Sequence, residues 1–200
     1  MQCLVLAGGV GTRMRPKTYV LPKALIPVLG RPFVDWQLDL LESAGFKHVV
    51  MSIGYLGDQI RAHLGTNTHP GLEISFVDEG EKLVGTGGAL KLAAASGALD
   101  EIFGVIYGDS YLDIDYSAMN DHLVRSNNLG ALAIFRNENK WDRSNVRFVD
   151  GHEKIIYKKN PPNPKEWPFI DAGYSVFRSE FINKWIPNKG VNDLAISVGA

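Results

Sequence analysis

A glycine-rich loop with two nearby cations is the segment of this sequence best suited to chemistry. Residues 7–13 read Ala-Gly-Gly-Val-Gly-Thr-Arg and follow a short apolar segment that ends at Leu6. Glycines without side chains let backbone N–H groups come close to an anion. Arg13 can contact two phosphate oxygens at once, and Lys23 adds a point charge. Together these residues predict a site that binds a polyphosphate.

The loop departs from the two commonest nucleotide-binding motifs. The dinucleotide fingerprint needs another glycine where Met14 stands, and the P-loop needs a Gly-Lys-Ser/Thr tripeptide that the sequence lacks. Glycines alone are equally typical of a tight strand-to-helix turn, in which case Arg13 and Lys23 would be solvated surface cations. Lys23 lies between Pro22 and the apolar residues 24–26, where a surface lysine is less expected. This context favours phosphate binding.

Asp109 is the acidic residue best placed to complement the loop. It follows the apolar residues 102–107 and Gly108, so it comes directly after a predicted buried strand. Mg²⁺ prefers oxygen ligands and often shares its shell with water and phosphate. An aspartate after glycine is also typical of a turn that caps backbone amides. The local pattern alone favours the turn, whereas the glycine loop and its cations favour metal binding.

Alternating strand-like and helix-like segments position these residues. The pattern predicts strands at 2–6, 48–53, 72–78, 102–107 and 131–135, and helices at 33–44, 57–64, 87–95 and 117–126. Ser117 is the predicted N-cap of the last helix. Such alternation is typical of a mostly parallel sheet covered on both faces, which binds ligands at the carboxyl ends of its strands. The glycine loop and Asp109 are therefore expected on one edge of the sheet.

The pattern changes after about Trp141. Residues 146–151 and 155–158 predict a hairpin around Asp150-Gly151, and 169–177 predict another strand. The last ten residues, 191–200, predict a helix. The predicted fold is thus α/β, with a three-layer, mostly parallel Rossmann-like sheet and a small antiparallel β extension. We interpret 1–200 as a single domain, with a nucleotide-binding core at 1–137 and the extension at 138–200.

Composition narrows the classes of partner. The 200 residues carry a formal net charge of −1, which gives no support for binding nucleic acid or a membrane surface. No apolar segment approaches the roughly 20 residues of a membrane span, and the N-terminus does not resemble a signal peptide. Cys3 is the single cysteine, so an intramolecular disulfide is excluded. We expect a cytoplasmic protein, and self-association into a homo-oligomer is left open.

The opening motif resembles a known family signature. Residues 6–16 (LAGGVGTRMRP), followed by 22–28 (PKALIPV) and 30–32 (GRP), resemble the signature of the sugar-1-phosphate nucleotidyltransferases. The similarity continues through Gly54-Tyr55, 85–90 (GTGGAL) and Gly108-Asp109. It covers most of the chain and is nearest to bacterial guanylyltransferases that act on mannose-like or heptose 1-phosphates.

This resemblance implies a reaction and a set of site residues. A sugar 1-phosphate would attack the α-phosphorus of a nucleoside triphosphate, with GTP favoured, to give a nucleotide-sugar and pyrophosphate. Arg13, Lys23 and Asp109 would be catalytic, and Asp109 would bind Mg²⁺ as the cofactor. The implied nucleotide-binding residues are Leu6, Ala7, Gly8, Gly9, Gly11, Thr12, Arg13, Glu79, Gly85, Thr86 and Gly87.

The sugar side matches the family less closely. The resemblance implies that Lys23, Asn145, Lys158 and Asp171 bind the sugar phosphate. Tyr157 stands where the family often has an acidic residue before its lysine, Asp171 where asparagine is commoner, and Asn145 where glycine is frequent. Ordinary polarity on the surface of a strand explains Asn145, Lys158 and Asp171 equally well.

Several alternatives remain. The family usually supplies a second metal-binding aspartate near its C-terminus, and no matching segment occurs before Ala200, so we expect truncation or divergence there. Uridylyl, cytidylyl or thymidylyl transfer, or a phosphocholine-like acceptor, fits the same motifs. A non-catalytic sensor of nucleotide-sugars is a further alternative, although such proteins tend to lose the arginine or aspartate that this chain keeps. A dinucleotide-dependent oxidoreductase is rejected because the third glycine is missing and because Gly54 and Tyr55, rather than an acidic residue, stand at the ribose position after the second strand.

Overall fold

The computed structural model describes residues 1–66, 69–80, 84–148, 155–158 and 160–186. In chain order the strands and helices are β1 (Gln2–Leu6), β2 (Pro27–Val28), β3 (Arg31–Pro32), α1 (Phe33–Ser43), β4 (His48–Ile53), α2 (Gly57–Leu64), β5 (Glu73–Asp78), α3 (Gly85–Ala95), β6 (Ile102–Tyr107), α4 (Tyr116–Arg125), β7 (Gly130–Arg136), β8 (Val146–Phe148), β9 (Ile155–Tyr157), β10 (Phe169–Arg178) and α5 (Ser179–Trp185). Short 3₁₀ turns lie at Thr12–Met14, Lys17–Tyr19, Lys23–Leu25 and Pro164–Glu166.

One mixed sheet organises the described residues, and eight of their strands join it. Its parallel part has the order β5-β4-β1-β6. β10 continues it antiparallel to β6, β7 and β8 both pair with β10, and β9 pairs with β8. This confirms the predicted Rossmann-like sheet with a small antiparallel extension. The extension is hydrogen-bonded to the parallel sheet through β10, so the two form a continuous surface.

Alternation along β1 separates two apolar cores, because successive strand side chains point to opposite faces. Val5 packs on one face with side chains of α1, α2 and α4, such as Leu38 and Ile60. Leu4 packs on the other face with side chains of α3 and α5, such as Leu90. Helices therefore cover both faces of the sheet, as the sequence predicts.

The element boundaries differ from the prediction in a few places. α4 begins at Tyr116, and its N-cap is Asp115 rather than Ser117, because the Asp115 carboxylate accepts a 2.8 Å hydrogen bond from the Ala118 N–H. α5 was not predicted. The predicted hairpin strands form as β8 and β9, while their turn and the helix predicted at 191–200 lie outside the described residues. The division at residue 137 stays a prediction. No helix of the described residues is long and apolar enough to cross a membrane.

Candidate active site

A cleft of about 570 Å³ lies where β1 and β6 end side by side. The two strands are parallel neighbours, so the loops that follow them leave from the same edge. Of the predicted site, Leu6, Ala7, Gly9, Gly11, Thr12, Arg13, Lys23 and Asp109 line this cleft, and the structure adds Met14, Ala24 and Gly108. The fold therefore brings the glycine loop and Asp109 together.

The two strand ends approach more closely than side chains would allow. The Gly108 N–H donates to the Leu6 carbonyl at 2.9 Å, and the Ala7 N–H donates to the Ser52 carbonyl at 2.8 Å. A Cβ at position 108 would lie 2.8 Å from the Leu6 oxygen, inside van der Waals contact. Only glycine fits at 108, and it places the next residue, Asp109, beside the loop.

The glycine loop turns sharply before Arg13. Gly11 has a φ of +60°, a left-handed conformation that glycine adopts without strain, and the Thr12–Met14 turn begins after it. The Thr18 hydroxyl donates to the Gly11 carbonyl at 2.9 Å and holds the loop from behind. This turn places Arg13 at the cleft, with its side chain exposed.

An ion pair joins the two sides of the cleft. The Lys23 Nζ hydrogen-bonds to the Asp109 Oδ2. The two side chains are 29% and 41% exposed, so water screens the pair and its contribution to stability is small. Both groups are therefore free to exchange partners when a charged ligand enters the cleft.

Asp109 is the described residue that suits a metal ion in this cleft. The described residues contain no group of three or more His, Cys, Asp or Glu side chains arranged around one metal position. A single carboxylate nevertheless fits Mg²⁺, which takes much of its coordination shell from water and substrate phosphates. The donor set thus matches a metal that arrives with a polyphosphate rather than one caged by the protein.

Glu79 lies directly behind the glycine loop. Its Oε1 accepts a 2.8 Å hydrogen bond from the Ser52 hydroxyl, and a Cβ on Gly8 would lie 2.4 Å from the same oxygen. Burial raises the pKa of the Glu79 carboxyl, with the Ser52 hydrogen bond acting in the opposite direction. Glu79 and Gly8 are therefore in close contact without lining the cleft.

The glycines predicted to bind the base lie farther along the chain. Gly85, Thr86 and Gly87 form the first turn of α3, on the carboxyl side of β5. They are not among the described residues that line the β1–β6 cleft. A neighbouring cleft of about 700 Å³, next to Val10, is lined mainly by residues 54–59 together with Asp78 and Gly80. Gly54 and Tyr55, which carry part of the family resemblance, lie in that second cleft.

The antiparallel extension brings together three of the four residues predicted to bind the sugar phosphate, Asn145, Lys158 and Asp171. The Asn145 Oδ1 accepts from the Asp171 N–H at 2.9 Å, and its Nδ2 donates to the Tyr157 hydroxyl at 3.2 Å. The Asn145 carbonyl also accepts from the Lys158 N–H at 2.8 Å. Asn145 thus connects β8, β9 and β10 at one point.

Tyr107 connects this network to the segment that carries Asp109. Its hydroxyl donates to the Asp171 Oδ2 at 3.5 Å, and the Asp171 Oδ1 accepts from the Gly173 N–H at 2.8 Å. Burial raises the pKa of the Asp171 carboxyl, and these two hydrogen bonds partly offset the effect. Tyr107 stands two residues before Asp109, so one short segment both lines the β1–β6 cleft and bonds to Asp171. Sequence reasoning missed Tyr107, although its place at the end of a parallel strand was a usable signal.

Comparison with known proteins adds independent information. A family model described as nucleotidyl transferase matches residues 2–158. A candidate mannose-1-phosphate guanyltransferase of Sulfolobus acidocaldarius is 30% identical over 207 residues, which is 99% of this chain and 56% of that protein. A UTP–glucose-1-phosphate uridylyltransferase of Synechocystis is 32% identical over 210 residues, or 97% of this chain and 53% of that protein.

The fold is also similar to solved structures. HddC from Yersinia pseudotuberculosis, solved in complex with GMP-PN, superposes with a TM-score of 0.75 at 23% identity. The superposition covers 94% of this chain and 81% of HddC. This chain spans about half the length of the first curated relatives that it matches.

Proposed function

Because this chain belongs to the nucleotidyl transferase family, with sugar-1-phosphate nucleotidyltransferases among its relatives, we propose that it transfers a nucleotide to a sugar 1-phosphate. The favoured nucleoside triphosphate is GTP, and the favoured acceptor is a mannose- or heptose-type sugar 1-phosphate. The products are a nucleotide-sugar and pyrophosphate.

One observation carries this proposal. Arg13 and Lys23 line the same cleft as Asp109, although 85 residues of chain separate Lys23 from the turn at Gly108. A triphosphate needs cations along its oxygens, and a carboxylate among those cations suits the metal that a triphosphate carries. A mere strand-to-helix turn would not require this arrangement of charges.

The chemistry is an in-line displacement at phosphorus. A bond forms between a phosphate oxygen of the sugar 1-phosphate and the α-phosphorus, while the bond from the α-phosphorus to the pyrophosphate oxygen breaks. Both reactants are anions, so the site must offset their repulsion and align them. Arg13 stabilises the charge that develops on the departing pyrophosphate, and Lys23 contacts a phosphate near the reacting phosphorus.

The Lys23–Asp109 pair gives the cleft a way to accept charged ligands. When the triphosphate binds, the Lys23 ammonium exchanges the Asp109 carboxylate for a phosphate oxygen. Asp109 is then free to hold Mg²⁺, which would polarise the α-phosphate when bound. Arg13 remains free to contact the leaving phosphates.

The acceptor is held by the extension. Asn145, Asp171 and Lys158 lie in one network that reaches Asp109 through Tyr107. Polar groups fixed in this way suit the hydroxyls of a sugar, while Lys158 supplies a charge for its phosphate. Glu79 and the first turn of α3 are assigned to the nucleoside.

The base and sugar rest on weaker support than the reaction class. GTP is favoured by the guanylyltransferase resemblance, by the name of the Sulfolobus relative, and by the GMP-PN bound to HddC. The Synechocystis relative, named for UTP and glucose 1-phosphate, favours uridylyl transfer as the second candidate.

Pyrophosphate release tests the proposal and separates the candidates. The folded protein is incubated with Mg²⁺, one of five nucleoside triphosphates, and mannose, heptose or glucose 1-phosphate or phosphocholine. We expect release with GTP and a mannose- or heptose-type 1-phosphate, and none when the acceptor is omitted. A preference for UTP and glucose 1-phosphate would support uridylyl transfer instead. If no pair of substrates gave pyrophosphate release, the transferase function would be contradicted.

A further inference from the structure

We propose that Gln37 is a positioning residue that fixes the turn carrying Asp109, so that this carboxylate is held ready for the metal–triphosphate complex. This inference rests on the proposed function, because it assigns Asp109 to the metal. Gln37 lies on α1, outside the motifs that identify the site, and it does not line the cleft. Its effect would pass through the backbone of the turn.

The contacts of Gln37 bracket Asp109. The side chain is fully buried, and its Nε2 donates to the Tyr107 carbonyl at 2.9 Å and to the Ser110 carbonyl at 2.6 Å. Gly108 and Asp109 lie between those two residues. The NH₂ group of the amide must face the two carbonyls, because carbonyl oxygens accept hydrogen bonds and the amide oxygen has no hydrogen to donate. Both hydrogens of one amide therefore tie down the two ends of the turn.

The other face of the turn is held as well. Gly173 on β10 packs against Ser110 with a φ of +93°, and a Cβ there would lie 2.3 Å from the Ser110 Oγ. The Ser110 N–H also donates to the Tyr107 carbonyl at 2.9 Å. The backbone of the turn is thus fixed from α1 and from β10, while the Asp109 side chain stays 41% exposed toward the cleft.

Burying the Gln37 amide at this position costs free energy. The Gln37 Oε1 is buried and has no hydrogen-bond partner among the described residues, which costs free energy that an apolar side chain would not. Val34, Leu38 and Leu41 make the same face of α1 apolar. The two hydrogen bonds to the turn offset this cost, and their geometric consequence is the position of Asp109.

A matched control separates positioning from stability. Gln2 is a second buried glutamine, and its Nε2 donates to the Ala98 carbonyl at 3.0 Å while its Oε1 accepts from the Asp100 N–H at 2.7 Å. It stands at the start of β1, at the opposite edge of the sheet from the cleft. Gln37→Met and Gln2→Met each remove buried hydrogen bonds with little change in volume.

The first experiment compares these two variants in pyrophosphate release and thermal melting. Gln37→Met should lower kcat at least about tenfold and raise the Mg²⁺ concentration for half-maximal rate, because a displacement of about 1 Å at a reacting group is costly. Gln2→Met should lower the melting temperature comparably and leave kcat within about twofold. Equal kinetic effects in both variants would overturn the proposal.

A second readout needs no turnover. Calorimetry measures how much Mg²⁺ strengthens GTP binding in the wild type, in Gln37→Met, in Asp109→Asn and in the double variant. The gain should fall in each single variant, and Gln37→Met should have no further effect once Asp109 is replaced. Additive losses would mean that Gln37 does not act through Asp109. A wild type that shows this gain without releasing pyrophosphate would refute the transferase function and leave the positioning role intact.

A third variant covers the case in which Gln37→Met does not fold. Gln37→Glu keeps the shape of the side chain, but its carboxyl can donate to the turn only when it is protonated. Its rate relative to wild type should rise as the pH falls, while Gln2→Glu should show no such trend. A flat ratio for Gln37→Glu would count against the proposal.

Discussion

The cleft proposed to bind phosphate (the phosphate side) and the Asn145 network proposed to bind the sugar (the sugar side) are built in different ways. The phosphate side is formed mainly by one continuous segment, residues 6–24, whose backbone turns at Gly11, together with the turn at Gly108-Asp109. The sugar side is formed by side chains of Asn145, Tyr157 and Asp171 on three antiparallel strands. Each side also has a half-buried carboxyl nearby, Glu79 behind the glycine loop and Asp171 on β10, and burial raises the pKa of both.

This difference has a physical cause. Every substrate of this chemical class carries charged phosphates. Backbone N–H groups and cations can therefore bind the phosphates without recognising the base or the sugar. Sugars differ in the direction of single hydroxyls, which only positioned side chains can distinguish. The first arrangement accepts many nucleotides, whereas the second must change when the acceptor changes.

The largest effect should come from replacing Asp109, the carboxylate proposed to hold Mg²⁺. Asp109→Asn removes the charge that would hold Mg²⁺ and should lower kcat at least about a thousandfold. Asp113→Asn, at an exposed position four residues away, is the matched control and should leave the rate unchanged. Retention of the Mg²⁺-dependent rate by Asp109→Asn, measured by pyrophosphate release, would remove this aspartate from the site.

Loss of a cleft cation should come next. Arg13→Gln should reduce kcat/KM for the triphosphate about a hundredfold, because the departing pyrophosphate loses a charged donor. Lys17→Gln removes an equally exposed cation that does not line the cleft, and it should cost little. If both substitutions had the same effect, the overall charge of the loop would matter rather than the position of Arg13.

A crossed pair of variants tests the division between the two sides. Asn145→Ala should raise KM for the sugar 1-phosphate about fivefold, because about 1 kcal/mol of hydrogen bonding is lost. Glu79→Gln should instead raise KM for the nucleotide. Steady-state kinetics with each substrate varied in turn gives both values. If Asn145→Ala changed KM for the nucleotide, or Glu79→Gln changed KM for the sugar 1-phosphate, the two sides would not bind their substrates separately.

The smallest effect concerns the stability of the sugar side. Because the pKa of Asp171 is raised in the folded state, the native protein keeps this proton more tightly than the unfolded chain. Stability from this group is present at low pH and is lost as the pH rises above about 4, the ordinary value for aspartate, and through the raised folded pKa.

Asp171→Asn should remove that pH dependence. Its Oδ1 can still accept from the Gly173 N–H, so the variant should be at least as stable as wild type near neutral pH and lose its relative advantage in acid. Asp121→Asn, at an exposed position, is the control. Urea unfolding across the pH range measures the difference, and parallel curves for wild type and Asp171→Asn would contradict the assigned burial effect.

The sequence predicted the strands better than the ends of the helices. Strands such as His48–Ile53 and Ile102–Tyr107 have strong apolar patterns and short turns, so their positions followed from local physics. The N-cap of α4 was predicted two residues late, because Asp and Ser are both good caps and only the hydrogen bond to Ala118 decides between them. The α5 helix, Ser179–Trp185, was missed because seven residues give too short a period to recognise.

By itself, the sequence predicted most of the residues that line the β1–β6 cleft. The glycine loop, Arg13, Lys23 and Asp109 have types and local contexts that point to a polyphosphate, and parallel strands must end at one edge. The tertiary structure alone decided that Lys23 pairs with Asp109, that the Tyr107 hydroxyl bonds to Asp171, and that Gln37 donates to the backbone on both sides of Asp109. Those contacts join residues 64 to 86 positions apart, and a local sequence pattern cannot specify distances that are set only when the whole sheet packs.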